Sequence, residues 1–220
     1  MNHDQPTSGA PAAWRMLRVQ AGKLQDIPFA DGVWTTAIYK MALDGSVVIE
    51  HNGIVGDEHT GSGPDPERAL CCCPADHYTH WRAALGIELP LGIFGENLTL
   101  AGVTEHTACI GDTLRCGSTL LQVSQPRMPC YKQARRIGQP DFVKQIMESG
   151  RLGFLLRVLT PGSFQPDDAL TLVDRPHPDV PVAAVVRAFC APEDLAAARQ
   201  LADLALLAPE WRKEFARRVA

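Results

Sequence analysis

The sequence predicts a mainly β protein with a few inserted helices, built as an antiparallel barrel or sandwich, and a small three-helix subdomain at its C-terminal end. Short apolar or alternating runs, divided by 18 glycines and 17 prolines, have the length and composition of strands. Helix start and stop signals occur at only a few places within them. After residue 175 the composition changes to alanine- and leucine-rich segments.

The strands are expected where four to seven residues rich in Val, Ile, Leu and Thr lie between turn residues. Seven such runs stand out: residues 16–19, 35–41, 47–50, 97–100, 119–123, 153–159 and 169–173. The dipeptides at 44–45 (Asp-Gly) and 111–112 (Gly-Asp) suit hairpin connections. Many short strands with little helix between them favour a barrel or a sandwich.

Three helices are predicted within the β region. Residues 74–85 begin with Pro74 and are followed by Gly86, which are good start and stop signals. Residues 140–149 lie between a Gln-Pro pair and Gly150, and a shorter helix is expected at 131–137, directly after Cys130.

The chain is predicted to divide into three parts. Residues 1–15 form a mobile lead-in, residues 16–178 the β domain, and residues 179–220 the three-helix subdomain. The proline-rich stretch RPHPDVP at 175–181 has the composition of a linker. Beyond it, the segments 182–189, 193–206 and 210–219 each follow a proline and are too short to be stable alone.

Charge and composition exclude some classes of function. The net charge is −4 and the pI is about 6.0, so nucleic-acid binding has no electrostatic support. No apolar run approaches the roughly 20 residues of a membrane span, and the N-terminus does not have the pattern of a secretory signal. The 7 cysteines form an odd set without regular spacing, which predicts reduced thiols in the cytoplasm.

The stretch SQPRMPCYKQARR (124–136) carries the sharpest chemical signal. Cys130 follows a predicted strand and precedes a predicted helix, a position that favours the thiolate. Pro126 and Pro129 restrict the backbone around it. Four basic residues lie nearby: Arg127, Lys132, Arg135 and Arg136. The thiolate could be a nucleophile or a soft metal ligand, whereas a buried structural cysteine, the commonest role of a lone cysteine, fits this setting poorly.

Two further clusters contain groups that could bind metal or move protons. Asp57, Glu58 and His59 lie in the glycine-rich stretch 53–65 and could bind a divalent ion or handle protons, although a solvated loop is the more common origin of such a stretch. Cys71, Cys72 and Cys73, with histidines downstream, could suggest zinc. Adjacent cysteines do not all face one tetrahedral ion, so we expect small buried residues instead.

These motifs, taken in order, resemble the MOSC domain family, and within it the YiiM-type group of hydroxylaminopurine reductases. The resemblance runs from about residue 22 to residue 178, and the C-terminal segments resemble the small three-helix appendage of that group. The matching motifs are TAIYK (36–40), GIVGDEH (53–59), RALC (68–71), DHYTHW (76–81), FGENLTL (94–100), IGDTLRCG (110–117), VSQPRMPCYK (123–132), GRLGFLLRVLTPG (150–162) and RPHP (175–178).

The resemblance implies a β-barrel-like domain that binds the molybdenum cofactor, a metal held by a molybdopterin dithiolene. Cys130 matches the family cysteine that supplies a thiolate to molybdenum. The residues in the matching motifs that would shape the cofactor pocket are Glu96, Asn97, Ser124, Gln125 and Arg127. The chain departs from the family pattern at Cys72 and Cys73, where a histidine and an aromatic residue are usual, and at GSG (61–63); we expect these positions to line the pocket.

The implied activity is the reduction of small N-hydroxylated compounds, such as hydroxylaminopurines, to amines, with Asp57 and His59 as candidate proton donors. Because the chain has no recognisable flavin or iron–sulfur motif, electrons would come from a separate flavin-type reductase. The alternatives are a non-catalytic carrier of the molybdenum cofactor and a sulfur carrier with a persulfide on Cys130. A pyridoxal phosphate binding-like description is also compatible with the resemblance.

Overall fold

The computed structural model describes residues 13–29, 32–58 and 65–220, and the candidate proton donor His59 lies outside these ranges. Within them the chain forms 13 strands and 6 α-helices. The strands are β1 (Ala13–Ala21), β2 (Gln25–Phe29), β3 (Gly32–Thr36), β4 (Met41–Ala42), β5 (Val47–Glu50), β6 (Gly53–Ile54), β7 (Leu70–Pro74), β8 (Leu98–Ala101), β9 (Thr113–Cys116), β10 (Thr119–Pro126), β11 (Phe154–Thr160), β12 (Gly162–Phe164) and β13 (Leu170–Asp174). The helices are α1 (Asp76–Leu85), α2 (Tyr131–Ile137), α3 (Phe142–Ser149), α4 (Val182–Cys190), α5 (Leu195–Ala202) and α6 (Pro209–Val219).

Seven of the described strands close into a barrel in the order β1-β13-β9-β10-β11-β7-β8. The closing pair joins β1 to β13, with Trp14 opposite Leu170. Among the described barrel strands, β7 and β8 run parallel and the other neighbours run antiparallel. The sequence left a barrel and a sandwich open, and the structure is a barrel. Because the barrel is closed, these strands have no free edge.

Two small sheets lie beside the barrel. Strands β2 and β3 form an antiparallel hairpin, and β12, β5 and β6 form a three-stranded sheet. Strand β4 adds a short pairing at the end of β1. None of the helices in the described ranges is long and apolar enough to cross a bilayer.

Local sequence patterns predicted the positions of some strands and helices correctly and of others wrongly. The strand at 47–50 and the helix at 131–137 have the predicted bounds. The prediction of one strand over 35–41 is wrong, because β3 ends at Thr36 and the chain bends before β4 begins at Met41. The dipeptides at 44–45 and 111–112 do not close hairpins, because β4 pairs with β1, β5 with β12, β8 with β1, and β9 with β10 and β13. The cysteine run at 71–73 lies in strand β7, which the composition did not predict.

The barrel and the C-terminal helices share one hydrophobic core. Leu114 and Leu156 of the barrel belong to the same buried cluster as Val185, Leu207 and Phe215 of the C-terminal region. The proline-rich stretch between them is held to the barrel, since Ile110 N donates to Val180 O and Arg175 pairs with the buried Asp112. The domain boundary near residue 178 stays a prediction, but apolar packing is continuous across it.

A second apolar cluster fixes the helices next to Cys130. Trp81 of α1 and Phe94 both pack on Phe142 of α3, with ring centroids 4.9 Å and 5.9 Å apart. Ala134 of α2 is buried in the same cluster. Because α2 begins directly after Cys130, this packing sets where that thiol lies.

A polar cluster is buried at the base of α1. His77 Nε2 lies 3.1 Å from a Glu105 carboxylate oxygen, and Gly153 N donates to Glu105 at 2.5 Å. Cys73 Sγ lies 3.6 Å from His77 Nδ1. Burial works to raise the pKa of Glu105, but the hydrogen bond and charge of His77 and the backbone donors outweigh it. The pKa of Glu105 is therefore lowered from its ordinary 4.5.

We expect the barrel to depend on the C-terminal helices. A chain ending at residue 178 would expose the barrel's contribution to the shared core, so its melting temperature should fall well below that of the full chain, as followed by circular dichroism. A chain beginning at residue 13 is the matched control and should melt like the full chain. Equal melting temperatures for the 1–178 chain and the full chain would contradict this dependence.

We also expect an acid-sensitive contribution to stability from Glu105. A carboxyl whose folded pKa is lowered stabilises the fold at pH above its ordinary value, and this stabilisation is lost as the pH falls through the folded pKa. The Glu105→Gln variant should be less stable than wild type at pH 7, and the difference should shrink toward pH 3 in urea unfolding. Glu88→Gln, at a 96% exposed side chain, is the control and should track wild type. A difference independent of pH would contradict the assignment.

Candidate active site

Cys130 is presented by a short loop between β10 and α2. The residue is the N-cap of α2, with extended backbone angles of φ −134° and ψ 162°. Its N–H donates to Gln133 Oε1 at 3.1 Å, and Gln133 N donates back to Cys130 O at 3.0 Å. These reciprocal hydrogen bonds hold the start of the helix. The thiol itself is exposed.

The thiol opens onto a cavity of about 360 Å³, which we call the Cys130 pocket. Its walls come from the barrel strands, from the loops before and after them, and from α6. Its charged lining is cationic, and no acidic side chain is among the described residues that line it. The lining residues are Lys40, Arg68, Cys71, Gly95, Asn97, Gln125, Pro126, Arg127, Met128, Cys130, Leu155 and Trp211.

Arg127 lies half-buried in the pocket wall, three residues before Cys130. Its Nη2 donates to Phe94 O at 2.5 Å, which ties the SQPR stretch to the FGEN stretch. Burial disfavours the charged guanidinium. The negative charges of the Glu96 carboxylate and of nearby cysteines, Cys71 first, outweigh burial and raise the pKa of Arg127 above its ordinary value. The guanidinium therefore remains positively charged in the pocket.

Lys40 enters the pocket through a buried ion pair with Asp57. Their side chains are only 6% and 0% exposed, and Lys40 Nζ lies 2.5 Å and 2.7 Å from the two Asp57 oxygens. Asp57 also accepts from Gly22 N at 2.6 Å and from Asn97 Nδ2 at 2.8 Å. Asp57 is not among the residues that line the pocket, so the structure places it behind Lys40.

Asn97 uses both ends of its amide to connect strands around the pocket. Its Oδ1 accepts from Cys71 N at 3.0 Å, and its Nδ2 donates to Gln20 O at 3.2 Å as well as to Asp57. The adjacent Glu96 is fully buried. Its Oε1 accepts from Tyr78 Oη at 2.5 Å and from Thr99 Oγ1 at 2.8 Å. Glu96 Oε2 has no hydrogen-bond partner within the described part of the chain.

Gln125 links the barrel to the last helix. Its Oε1 accepts from Trp211 Nε1 at 2.9 Å, and its Nε2 donates to Glu67 O at 3.1 Å. Ser124 is not among the residues that line the pocket. Its hydroxyl donates to the same Glu67 O at 2.7 Å and lies 3.0 Å from Leu155 O. Through Gln125, the indole of Trp211 becomes part of the pocket wall.

The adjacent cysteines of β7 have different surroundings. Cys71 lines the pocket, and burial raises the pKa of its thiol. Cys72 and Cys73 are buried in the two hydrophobic clusters, so the expectation that they line the pocket is wrong. Side chains alternate along a strand, which separates Cys71 from Cys72, and the Cys73 thiol lies 3.6 Å from the buried His77 ring. The described ranges contain no cluster of His, Cys, Asp and Glu that could hold a metal ion.

A family model for the MOSC domain matches residues 55–171. The chain belongs to the MOSC domain family. It is 34% identical to Protein YiiM of Escherichia coli over 207 residues, covering 91% of this chain and 90% of that protein. The crystal structure of YiiM from Geobacillus stearothermophilus superposes with a TM-score of 0.81 at 31% identity, covering 94% of this chain and 100% of that chain. A protein named Reductase from Gibberella moniliformis is 38% identical over 186 residues, which are 82% of this chain and 33% of that protein.

The MOSC domain is of a molybdenum-cofactor-binding type, and the residues of the Cys130 pocket fit such a group. A thiolate is a soft donor suited to a heavy transition metal, and Cys130 is an exposed thiol at the pocket. Lys40, Arg68 and Arg127 would complement an anionic pterin phosphate. The donor set thus suits a cofactor that carries both a metal and a phosphate.

Several lining residues of this MOSC chain were not assigned a site role from the sequence. Lys40 lies within the TAIYK motif and Cys71 within RALC. The motifs therefore identified these segments but did not predict that the two side chains line the pocket. Arg68 and Trp211 reach the pocket through contacts between distant parts of the chain. No local pattern around Trp211 indicates that its indole lies against Gln125.

Removing the Lys40 charge should destabilise the fold because the buried Asp57 carboxylate would lose the ammonium that contacts both of its oxygens. We expect Lys40→Met to lower the free energy of unfolding by about 3–5 kcal/mol, measured by urea unfolding at pH 7. The double variant Lys40→Met/Asp57→Asn should recover part of the loss, since the buried carboxylate charge is removed together with the ammonium that paired with it.

The control for this prediction is Lys23→Met. Lys23 is 66% exposed and pairs with Glu58 at 3.0 Å on the surface, so the loss should be within about 1 kcal/mol. If Lys40→Met and Lys23→Met lower stability equally, the buried pair does not have the stabilising role assigned to it.

Proposed function

We propose that this MOSC protein is a molybdenum-cofactor-dependent reductase that converts small N-hydroxylated compounds, of the hydroxylaminopurine kind, to amines. The observation that carries the proposal is the Cys130 pocket itself, where an exposed thiol lies among Lys40, Arg68 and Arg127. The likeness to YiiM proteins over nearly the whole chain and the relative named Reductase support it.

The reaction consumes two electrons and two protons, and it yields an amine and water from the N-hydroxyl group. When bound, the cofactor would supply the two-electron redox chemistry of the reaction. Cys130 would hold it by providing a thiolate ligand that tunes the metal. The guanidinium of Arg127 and the neighbouring cations bind and orient the anionic part of the cofactor.

The proton-holding group best placed for this chemistry is the Lys40 ammonium. It lines the pocket, whereas Asp57, the earlier candidate, lies behind it as its ion-pair partner. We therefore assign Lys40 Nζ as the donor that protonates the leaving oxygen. Asp57 positions Lys40 by holding it with both carboxylate oxygens. The protonated thiol of Cys71 is a second proton-bearing group in the same pocket.

Electrons are proposed to come from a separate flavin-type reductase. The support is indirect: the chain has no recognisable flavin or iron–sulfur motif, and the relative named Reductase contains the matching region within a protein about three times as long. Turnover with a chemical reductant should therefore proceed without any partner protein, which separates electron supply from the reaction in the pocket.

Replacing the thiol should abolish activity and leave the fold intact. We expect Cys130→Ala to reduce 6-N-hydroxylaminopurine at least about 100-fold more slowly than wild type, because a methyl group cannot replace a thiolate ligand. The thiol is exposed, so the free energy of unfolding should change by no more than about 1–2 kcal/mol. Activity with a chemical reductant, molybdenum content and thermal unfolding are the measurements.

Cys190→Ala is the matched control, because Cys190 is also exposed but lies at the end of α4. It should behave like wild type in all three measurements. Near-wild-type reduction by Cys130→Ala at full molybdenum content would contradict the ligand assignment. Molybdenum without turnover in the wild type would favour a cofactor carrier, and an added sulfur on Cys130 by mass spectrometry would favour a sulfur carrier.

A further inference from the structure

A second cavity of about 180 Å³ adjoins the Cys130 pocket. Three residues line both: Arg68, Met128 and Trp211. The second cavity is completed by Phe189 at the end of α4 and by two carboxylates of α6, Glu210 and Glu214. The C-terminal helices therefore form a wall of a cavity that lies next to the Cys130 pocket.

Aromatic and thioether groups give the second cavity its apolar surfaces. The rings of Phe189 and Trp211 meet edge to face with centroids 5.3 Å apart. Met128 is exposed, and thioether sulfur makes favourable contacts with aromatic rings. A cavity of about 150 Å³ is large enough to hold a benzene ring, so the observed volume suits one flat ring system.

The two cavities differ in their charged side chains. The Cys130 pocket is lined by Lys40, Arg68 and Arg127, whereas the second cavity has Glu210 and Glu214 at its edge. Arg68 stands at the boundary and pairs with Glu210. Glu214 in turn lies 3.4 Å from Arg217 and 3.3 Å from Arg218, so both carboxylates are charge-paired. Each carboxylate has further lone pairs that can accept hydrogen bonds from N–H groups, so the second cavity suits a ligand with N–H donors.

We propose that this second cavity is a distal subsite that binds the body of the substrate, a flat nitrogen heterocycle with N–H donors, while the N-hydroxyl group points toward Cys130. The assignment rests on the reductase activity proposed above. The apolar faces of Phe189, Trp211 and Met128 enclose the ring, and Glu214 and Glu210 accept from its N–H edge. The hydrogen bond from Trp211 to Gln125 fixes the position of this subsite relative to the Cys130 pocket.

The kinetic test compares a large substrate with a small one. 6-N-Hydroxylaminopurine would occupy both cavities, and N-hydroxyurea only the Cys130 pocket. We expect Phe189→Ala and Glu214→Gln to raise the ratio of the two KM values, large over small, by about tenfold. Leu195→Ala, at an exposed leucine of α5, is the control and should leave the ratio unchanged. A ratio that stays within twofold of wild type in both test variants would overturn the distal subsite.

A binding test separates this inference from the proposed reductase activity. Adenine, which has no N–O bond, should bind the wild-type protein and Leu195→Ala equally in isothermal titration calorimetry, and Phe189→Ala and Glu214→Gln about tenfold more weakly. If the wild type shows no reduction, the reductase proposal fails and adenine binding still tests the subsite. Equal adenine affinity in wild type and Glu214→Gln, or no adenine binding, overturns the subsite. Glu214→Gln preserves side-chain size, so it remains decisive if Phe189→Ala fails to fold.

Discussion

The candidate site depends on one buried carboxylate, that of Asp57. It accepts from Gly22 N, Lys40 Nζ and Asn97 Nδ2, which come from three separate parts of the chain. A carboxylate removed from water is stable only when it is paired and hydrogen-bonded, and these donors meet that requirement. The same contacts place Lys40 in the Cys130 pocket and orient Asn97 against Cys71. The pocket geometry is thus a consequence of how this one charge is satisfied.

The part of the site that sequence could predict is the part whose cause is local. Cys130 and α2 follow from a proline-restricted loop and a helix start within a few residues, and both are found as expected. Asn97, Gln125, Arg127 and Cys130 lie in motifs of the resembling family, and the structure brings them to one pocket.

The remaining contributions are long-range, and local patterns do not encode them. Lys40 was placed inside a predicted strand, but the chain bends there to reach Asp57. Ser124 shares a motif with Gln125, and both donate to Glu67 O, but only Gln125 lines the pocket. The barrel itself was predicted only with the help of the resemblance, because composition left a sandwich equally open. Trp211 contacts the site through a long-range hydrogen bond, since it lies 86 positions after its partner Gln125.

Barrel closure has a consequence for how the chain is made. The barrel cannot close until β13 has been made, because Trp14 of β1 pairs opposite Leu170, 156 positions later, and the pocket also needs Trp211. Contacts between residues so distant in sequence slow folding, because the loop between them must close first. A ribosome adds about 5–20 residues each second, so several seconds or more separate the synthesis of β1 from that of β13. The pocket is therefore incomplete, and no ligand can be fully enclosed in it, before Trp211 has been synthesised.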